Sequence, residues 1–257
     1  MKNADSNSNV GHYAKKQLLC RSGLIRWSHA SRFRLARQLV AGRSGGRLLD
    51  YGCGDGTFLG LTTDLFPDAV GTDCDGPQTD DCASRYAASG LTFIHTSQLT
   101  SHHDHRYDAI VCMETLEHCL PSARDFVLGD LARLCQPQGI VIISVPIEVG
   151  IVLPLKQMAR RIAGWRKLGD YATNERYSWS ELARMTFATE RTEIERPVYN
   201  SVPSQPLSGS HGHKGFNWRR LRMEIRQHLN IDQTHFSPMG WSRGFLSSQA
   251  WFVCSPR

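Results

Sequence analysis

The sequence predicts an α/β fold, a doubly wound, seven-stranded and mostly parallel sheet with helices on both faces. Three observations predict it. Residues 45–61, GGRLLDYGCGDGTFLGL, run a short apolar strand into a glycine loop and on into an apolar helical pattern. Asp73 closes the next short strand about 20 residues beyond that loop, the offset at which an acid can take the two hydroxyls of a ribose. Apolar runs suited to buried parallel strands then alternate with helical patterns as far as Pro146.

The elements follow in order. Residues 1–12 are polar and read as a disordered tail, and residues 13–44 as a helical cap broken near Ser22-Gly23. The cofactor-binding core spans 45–146. In it Phe58, Leu59, Leu61, Leu65 and Phe66 form a helical face ending at Pro67, so that the glycine loop opens a helix N-terminus. Pro77–Ser89 is expected to be a helix, Leu91–His95 a strand and Tyr107–Cys112 a buried strand. A helix over Pro121–Cys135, with Phe126, Leu128, Leu131 and Leu134 inward, precedes a strand over Ile140–Val145. Residues 147–212 form an inserted lid, with Asn200–Gly212 as a connector. Residues 213–257 return to the core with a helix through His228 and two edge strands, 231–236 and 249–254, forming a hairpin.

Composition narrows the class. In 257 residues with a net charge of +6, the segments 1–46, 47–150, 151–226 and 227–257 carry +8, −10, +7 and +1, an acidic core between two basic stretches. No apolar run reaches the ~20 residues of a membrane span, and MKNADSNSNVGHYAKK lacks a signal peptide's apolar segment, so a cytoplasmic protein is expected. Eight scattered cysteines, without a C-x-x-C pair, read as reduced. In the lid Ile151, Leu155, Met158, Ile162 and Trp165 form one apolar stripe, with Lys156, Arg160, Arg161, Arg166 and Lys167 elsewhere on the wheel. The stripe is expected to cover a core; resting on an anionic bilayer is the alternative.

The loop reads D-x-G-x-G-x-G over Asp50, Gly52, Gly54 and Gly56, with its third glycine one residue early for a dinucleotide fingerprint. It resembles the first motif of class I S-adenosylmethionine-dependent methyltransferases, with their Rossmann-like fold. Met113-Glu114-Thr115-Leu116-Glu117-His118, and the looser run from Leu134 to Pro146, resemble the quinone-biosynthetic O-methyltransferases within that class. The resemblance covers residues 45–146. It implies S-adenosyl-L-methionine as cofactor, held by Asp50, Gly52, Gly54, Gly56, Asp73 and Met113, with Arg32 (Arg34 as fallback) on its carboxylate. The adenine-binding acid of such enzymes is replaced by Thr96, Ser97 and Gln98.

Glu114, Glu117 and His118 at helical spacing leave three readings open: a divalent-metal site, a general base at His118 assisted by Glu117, or a structural helix start. His118 and Glu117 are the catalytic candidates, and no metal ligand is assigned. Ser101–His105 reads as solvated loop; His211 and His213 could face the substrate, with a capping or exposed histidine as the preferred reading of each. The expected reaction is methyl transfer to a small-molecule, glycan or lipid-linked acceptor, at oxygen before carbon or nitrogen. The charge pattern adds an acceptor that is anionic, lipid-linked or both, with peripheral membrane contact. Nucleic acid is disfavoured, since no Asn-Pro-Pro-Tyr-like stretch is present. A catalytically silent fold and a nicotinamide-dependent oxidoreductase are the rivals.

Overall fold

The computed structural model describes residues 11, 18, 23–165, 176–200 and 209–257. Helix α1 (Gly23–Val40) precedes β1 (Leu48–Tyr51), α2 (Thr57–Gly60), β2 (Val70–Asp73), α3 (Gly76–Arg85), β3 (Thr92–His95) and β4 (Tyr107–Met113). Then come α4 (Pro121–Leu134), β5 (Cys135–Pro146), α5 (Val152–Trp165), α6 (Trp179–Thr186), β6 (Val198–Asn200), β7 (Gly209–His211), α7 (Trp218–His228), β8 (Leu229–Ser237) and β9 (Gln249–Pro256). Seven strands form one sheet, as the sequence predicts, and their order is β3-β2-β1-β4-β5-β9-β8. Its reversal beside β1 creates the switch point at which such sheets bind ligands.

The chain divides into two compact units. The first holds Met1–Met113, Leu131–Ile143 and Val253–Pro256. Its parallel pairs run Leu49 to Val70, Leu49 to Ile110 and Asp73 to His95. All four residues of β1 are buried, which is why this strand reads as an unbroken apolar run with a single acid. The expected long helix after the glycine loop is one turn: α2 ends at Gly60, and Leu61 is 47% exposed. Thr62 Oγ1 bonds back to the carbonyls of Phe58 and Leu59 at 3.0 and 3.2 Å, and its N–H to Leu59, so the chain tightens instead of continuing.

The second unit holds Glu114–Asp130, Ser144–Phe252 and Arg257. Within α4, Val127, Leu128, Leu131 and Leu134 are buried, while Phe126, expected inward, is 65% exposed. The strand after it starts at Cys135, earlier than the expected Ile140. Helix α5 also turns its other side inward. Val152 and Leu153 are buried and Lys156 and Arg160 reach the buried Glu148, so Ile151, Leu155 and Met158 of the apolar stripe stay exposed. The side chains of Ile162 and Trp165, and all of Arg166 and Lys167, lie outside the described part. Strands β6 and β7 pair antiparallel, Val198 with His211, so both ends of the expected connector are ordered strand; residues 201–208 lie outside the described ones. Of residues 1–12, expected to be a disordered tail, only Gly11 is described, and it is buried; of the first part of the helical cap only Leu18 is described.

Candidate functional site

The first unit carries the glycine loop. Gly52, Gly54 and Gly56 all have positive φ, at 79°, 52° and 71°. Gly56 has a second reason to be glycine, because a Cβ there would lie 2.9 Å from the Phe93 ring. At Gly54 the space is open, with only Gln78 Nε2 at 3.7 Å from such a Cβ. The loop's donors, expected to face a ligand, are spent inside the protein. Gly52 and Cys53 donate to the Thr72 carbonyl at 2.8 and 3.0 Å, Gly56 to that of Cys53 at 3.0 Å, and Gly54 to Asp73 Oδ2 at 3.0 Å.

What the loop offers is therefore negative charge. Asp50 is 2% exposed, and burial, then the nearby Asp73 and Asp55, push its carboxyl up to about 8. At neutral pH Asp50 is therefore largely protonated, and the carboxylates of Asp55 and Asp73, beside a loop whose glycine N–H groups are already bonded, suit a cation and repel a pyrophosphate. Asp73 also accepts from Asp75 N at 3.1 Å, so the predicted ribose acid is held in place by its own loop. Met113 ends β4, half-buried. Arg32 is buried in α1, its Nη2 3.2 Å from His29 Nδ1 and its guanidinium 5.3 Å from the Phe33 ring centre. Arg34 is exposed. Gln98 Oε1 accepts from His95 N at 2.9 Å and caps a short 3-10 turn.

In the second unit the Glu114–Leu120 segment forms turns; the helix face expected for Glu-x-x-Glu-His is absent. Glu114 sits at φ 53°, and Pro121 is the first residue of α4. Proline is well placed at a helix's first position and disfavours helical backbone just before it, so the helix cannot start earlier. The turns bring together Glu117, His118 and the distant His213, whose ligand atoms lie within 4.8 Å of one another. Glu114 is outside that group, and no other such group occurs among the described residues; the histidines of 101–105 do not form one.

Geometry fixes the tautomer of His118. Its Nδ1 is 2.8 Å from the His211 carbonyl oxygen, which can only accept, so Nδ1 carries the proton and a neutral ring keeps its lone pair on Nε2. That Nε2 lies 3.8 Å from Oε1 of Glu117, whose side chain is fully buried, while 44% of the His118 side chain is exposed. The His213 ring centre is 5.1 Å from that of His118. Burial pushes the His213 imidazole down to about 4, against a smaller upward pull from Glu148, so it is neutral at pH 7. The arrangement can hold a proton or a cation between a carboxylate and two imidazole nitrogens. Sequence reasoning missed His213's part in it, because the only signal was a histidine in the glycine-rich run Gly209–Gly215.

Glu148, on the segment after β5, is fully buried and accepts from Lys156 Nζ at 2.8 Å and from both terminal nitrogens of Arg160. Burial alone would raise its carboxyl; the two cations override it and hold it down at about 2.

Comparison with known proteins agrees with this fold. A family model described as a methyltransferase domain matches residues 26–186. No curated protein matches the chain. Among solved structures, the PH0226 protein of Pyrococcus horikoshii OT3 is similar over 96% of this chain and 97% of its own, with 14% identity and a TM-score of 0.61. An S-adenosylmethionine-dependent methyltransferase from Mesorhizobium loti covers 89% and 99%, with 13% identity and a TM-score of 0.54. The 1,6-didemethyltoxoflavin-N1-methyltransferase of Burkholderia thailandensis, solved with 1,6-didemethyltoxoflavin and S-adenosylhomocysteine, covers 92% and 86%, with 15% identity and a TM-score of 0.50. Identities this low establish the shared fold.

Proposed function

The chain belongs to the methyltransferase-domain family, and from that premise we propose that it methylates a hydroxyl oxygen of a small-molecule, glycan or lipid-linked acceptor, with His118 and Glu117 taking the hydroxyl proton. S-adenosyl-L-methionine is the methyl donor. When bound, it supplies a methyl carbon already activated by a sulfonium for in-line displacement. The residues present fit it: the carboxylates of Asp55 and Asp73 favour its positive charges, a bound cation would also favour ionisation of the protonated Asp50, Gly54 leaves open space, and Asp73 retains lone pairs for ribose hydroxyls. The same loop argues against a nicotinamide cofactor, whose phosphates would meet carboxylates instead of N–H groups.

The observation that carries the hydroxyl acceptor is the Glu117–His118–His213 group. A sulfonium donor needs little beyond alignment and exclusion of water, so a base is required only where the acceptor's proton must leave. His118 Nε2 is the accepting atom, and the buried Glu117 stabilises the imidazolium that forms. The chain runs without interruption from Met113, at the carboxyl end of β4, into the segment bearing both residues. The exposed Ile151, Leu155 and Met158 support a lipid-linked acceptor; the basic charge does so less, since Lys156 and Arg160 are committed to Glu148.

A second reading assigns the same three residues to a divalent cation that acidifies the hydroxyl. It is favoured by the lone pair on His118 Nε2 facing a carboxylate, by the neutral His213, and by the His118 Nδ1–H on a backbone carbonyl, the usual support of a ligating histidine. Ligand atoms around an ion at about 2.1 Å lie about 3.0 to 3.4 Å apart, so the group would have to contract modestly.

The test is transfer of isotopically labelled methyl from S-adenosylmethionine to a small-molecule and lipid extract, comparing wild type with His118→Gln. Transfer lost in the variant with cofactor binding intact supports the proposal, and chelator sensitivity selects the second reading. Cofactor binding with no transfer by the wild type leaves the silent fold.

A further inference from the structure

Within the second unit, the segment Gly209-Ser210-His211-Gly212-His213-Lys214-Gly215 carries a glycine at every third position, and Gly215 adopts φ 75°. Such a stretch has more backbone freedom to lose than any other, so it does not hold a side chain in place by itself. Yet it must hold His213 beside Glu117 and His118. The side chain of Arg196 ties the two segments together. Its Nη2 donates to the Glu117 carbonyl at 2.6 Å and to that of Gly212 at 2.9 Å, and its Nε to that of Lys214 at 3.3 Å. One guanidinium thus bonds Glu117 and both chain neighbours of His213.

We propose that Arg196 is the positioning residue of the Glu117–His118–His213 group. A planar guanidinium presents its N–H donors in a fixed fork, so bonding three carbonyls sets their mutual distances, which a single ammonium cannot do. The fork is itself fixed. Its Cζ lies over the Phe216 ring, 5.3 Å from the centroid, and Phe216 is only 2% exposed. The aliphatic stem lies against Gly215, where a Cβ would come within 3.0 Å of Arg196 Cγ. The adjoining residue adds a parallel tie, with the Pro197 carbonyl 2.9 Å from His211 Nδ1. His211 in turn exchanges bonds with His118, N–H to the His118 carbonyl at 2.9 Å and carbonyl from His118 Nδ1 at 2.8 Å.

Two readouts on the full chain separate this role from a purely structural one. The first is the nuclear Overhauser effect between the ring protons of His118 and His213, which needs no substrate or metal. It should be present in wild type, lost in Arg196→Ala and weakened in Arg196→Lys, while S-adenosylmethionine affinity and the circular dichroism spectrum stay at wild-type values. Arg196 borders a pocket of about 200 Å³ with Arg124 and Phe216, so methylguanidinium added to Arg196→Ala should restore the effect. If Arg196→Ala does not fold, the lysine variant decides.

The second readout is turnover, and this arm rests on the proposed function. It should fall roughly 10- to 100-fold in the alanine variant, with the KM for S-adenosylmethionine unchanged. A folded Arg196 variant that keeps the ring contact overturns the proposal, whatever its activity. A lost ring contact with undiminished turnover upholds the positioning role and overturns the catalytic reading of the group.

Discussion

Arg160 grips Glu148 with both arms of its guanidinium, Nη1 to Oε2 at 3.1 Å and Nη2 to Oε1 at 2.7 Å, on a carboxylate that has no exposure to solvent. Lys156 completes the grip from the same face of α5 and also donates to the Ile147 carbonyl at 2.9 Å. Removing one member of a buried ionic group leaves the others' charge uncompensated. Glu148→Gln should therefore lower unfolding stability by about 3 to 5 kcal/mol. Denaturant melts of the two proteins check it, and a loss under about 1 kcal/mol would show the group to be well hydrated.

The same group sets an acid limit. The folded carboxyl of Glu148 is held at about 2, below its ordinary 4.5, so its contribution is complete above 4.5. As pH falls from 4.5 through 2 the unfolded chain takes up the proton first, and the contribution drains away. Thermal melts between pH 6 and 2 should show a stability loss in that window that Glu148→Gln lacks. Parallel pH curves for the two proteins would refute it.

Asp73→Ala should weaken S-adenosylmethionine binding by about 1.5 to 3 kcal/mol, the scale of charge-assisted hydrogen bonds. Asp73 also anchors the N–H groups of Gly54 and Asp75, so some of the loss should come as a looser loop, read as faster amide exchange at both residues. Calorimetric titration measures the first part, and affinity unchanged in a folded variant would remove Asp73 from the site.

If His118 is a general base, His118→Gln should cut turnover by about a hundredfold or more with cofactor binding intact. If the group holds a cation, dialysis against chelator should abolish turnover and Mg²⁺ or Mn²⁺ restore it, and His213→Ala should weaken the ion's binding. A protein indifferent to both treatments has its acceptor chemistry elsewhere.

The outward stripe on α5 predicts that Leu155→Glu and Met158→Glu leave the melting temperature close to wild type, because both residues are already exposed. If the acceptor is lipid-linked, wild type should sediment with liposomes and the double variant should not. Wild type that ignores liposomes at low salt would leave a water-soluble acceptor.

The glycine loop and its two acids were legible in the sequence because their signals are local: glycines forced to positive φ, an acid in a buried strand, and a second acid one strand on. The acceptor half was not. Glu114, Glu117 and His118 have helical spacing, but Pro121 sets where α4 begins, and a proline's effect on the residues before it outweighs spacing. The stripe on α5 failed for a related reason. Periodicity finds two faces of a helix without saying which is inward, and here Glu148, which belongs to no motif, drew the cationic face in. Arg196 gave no sequence signal and His213 only a weak one, since each matters through carbonyls and rings brought near by folding.

That dependence on remote partners bears on where the chain can be cut. The family model stops at residue 186, whereas Arg196, His211 and His213 lie beyond it. During synthesis Glu117 and His118 leave the ribosome long before the His211 carbonyl that orients the imidazole, 93 positions later. The Glu117–His118–His213 group therefore cannot form in the nascent chain until this late segment emerges. An expression boundary drawn at the end of the recognised domain would yield a polypeptide with the whole glycine loop and the whole Glu-x-x-Glu-His motif, but without the residues that hold His118 in register.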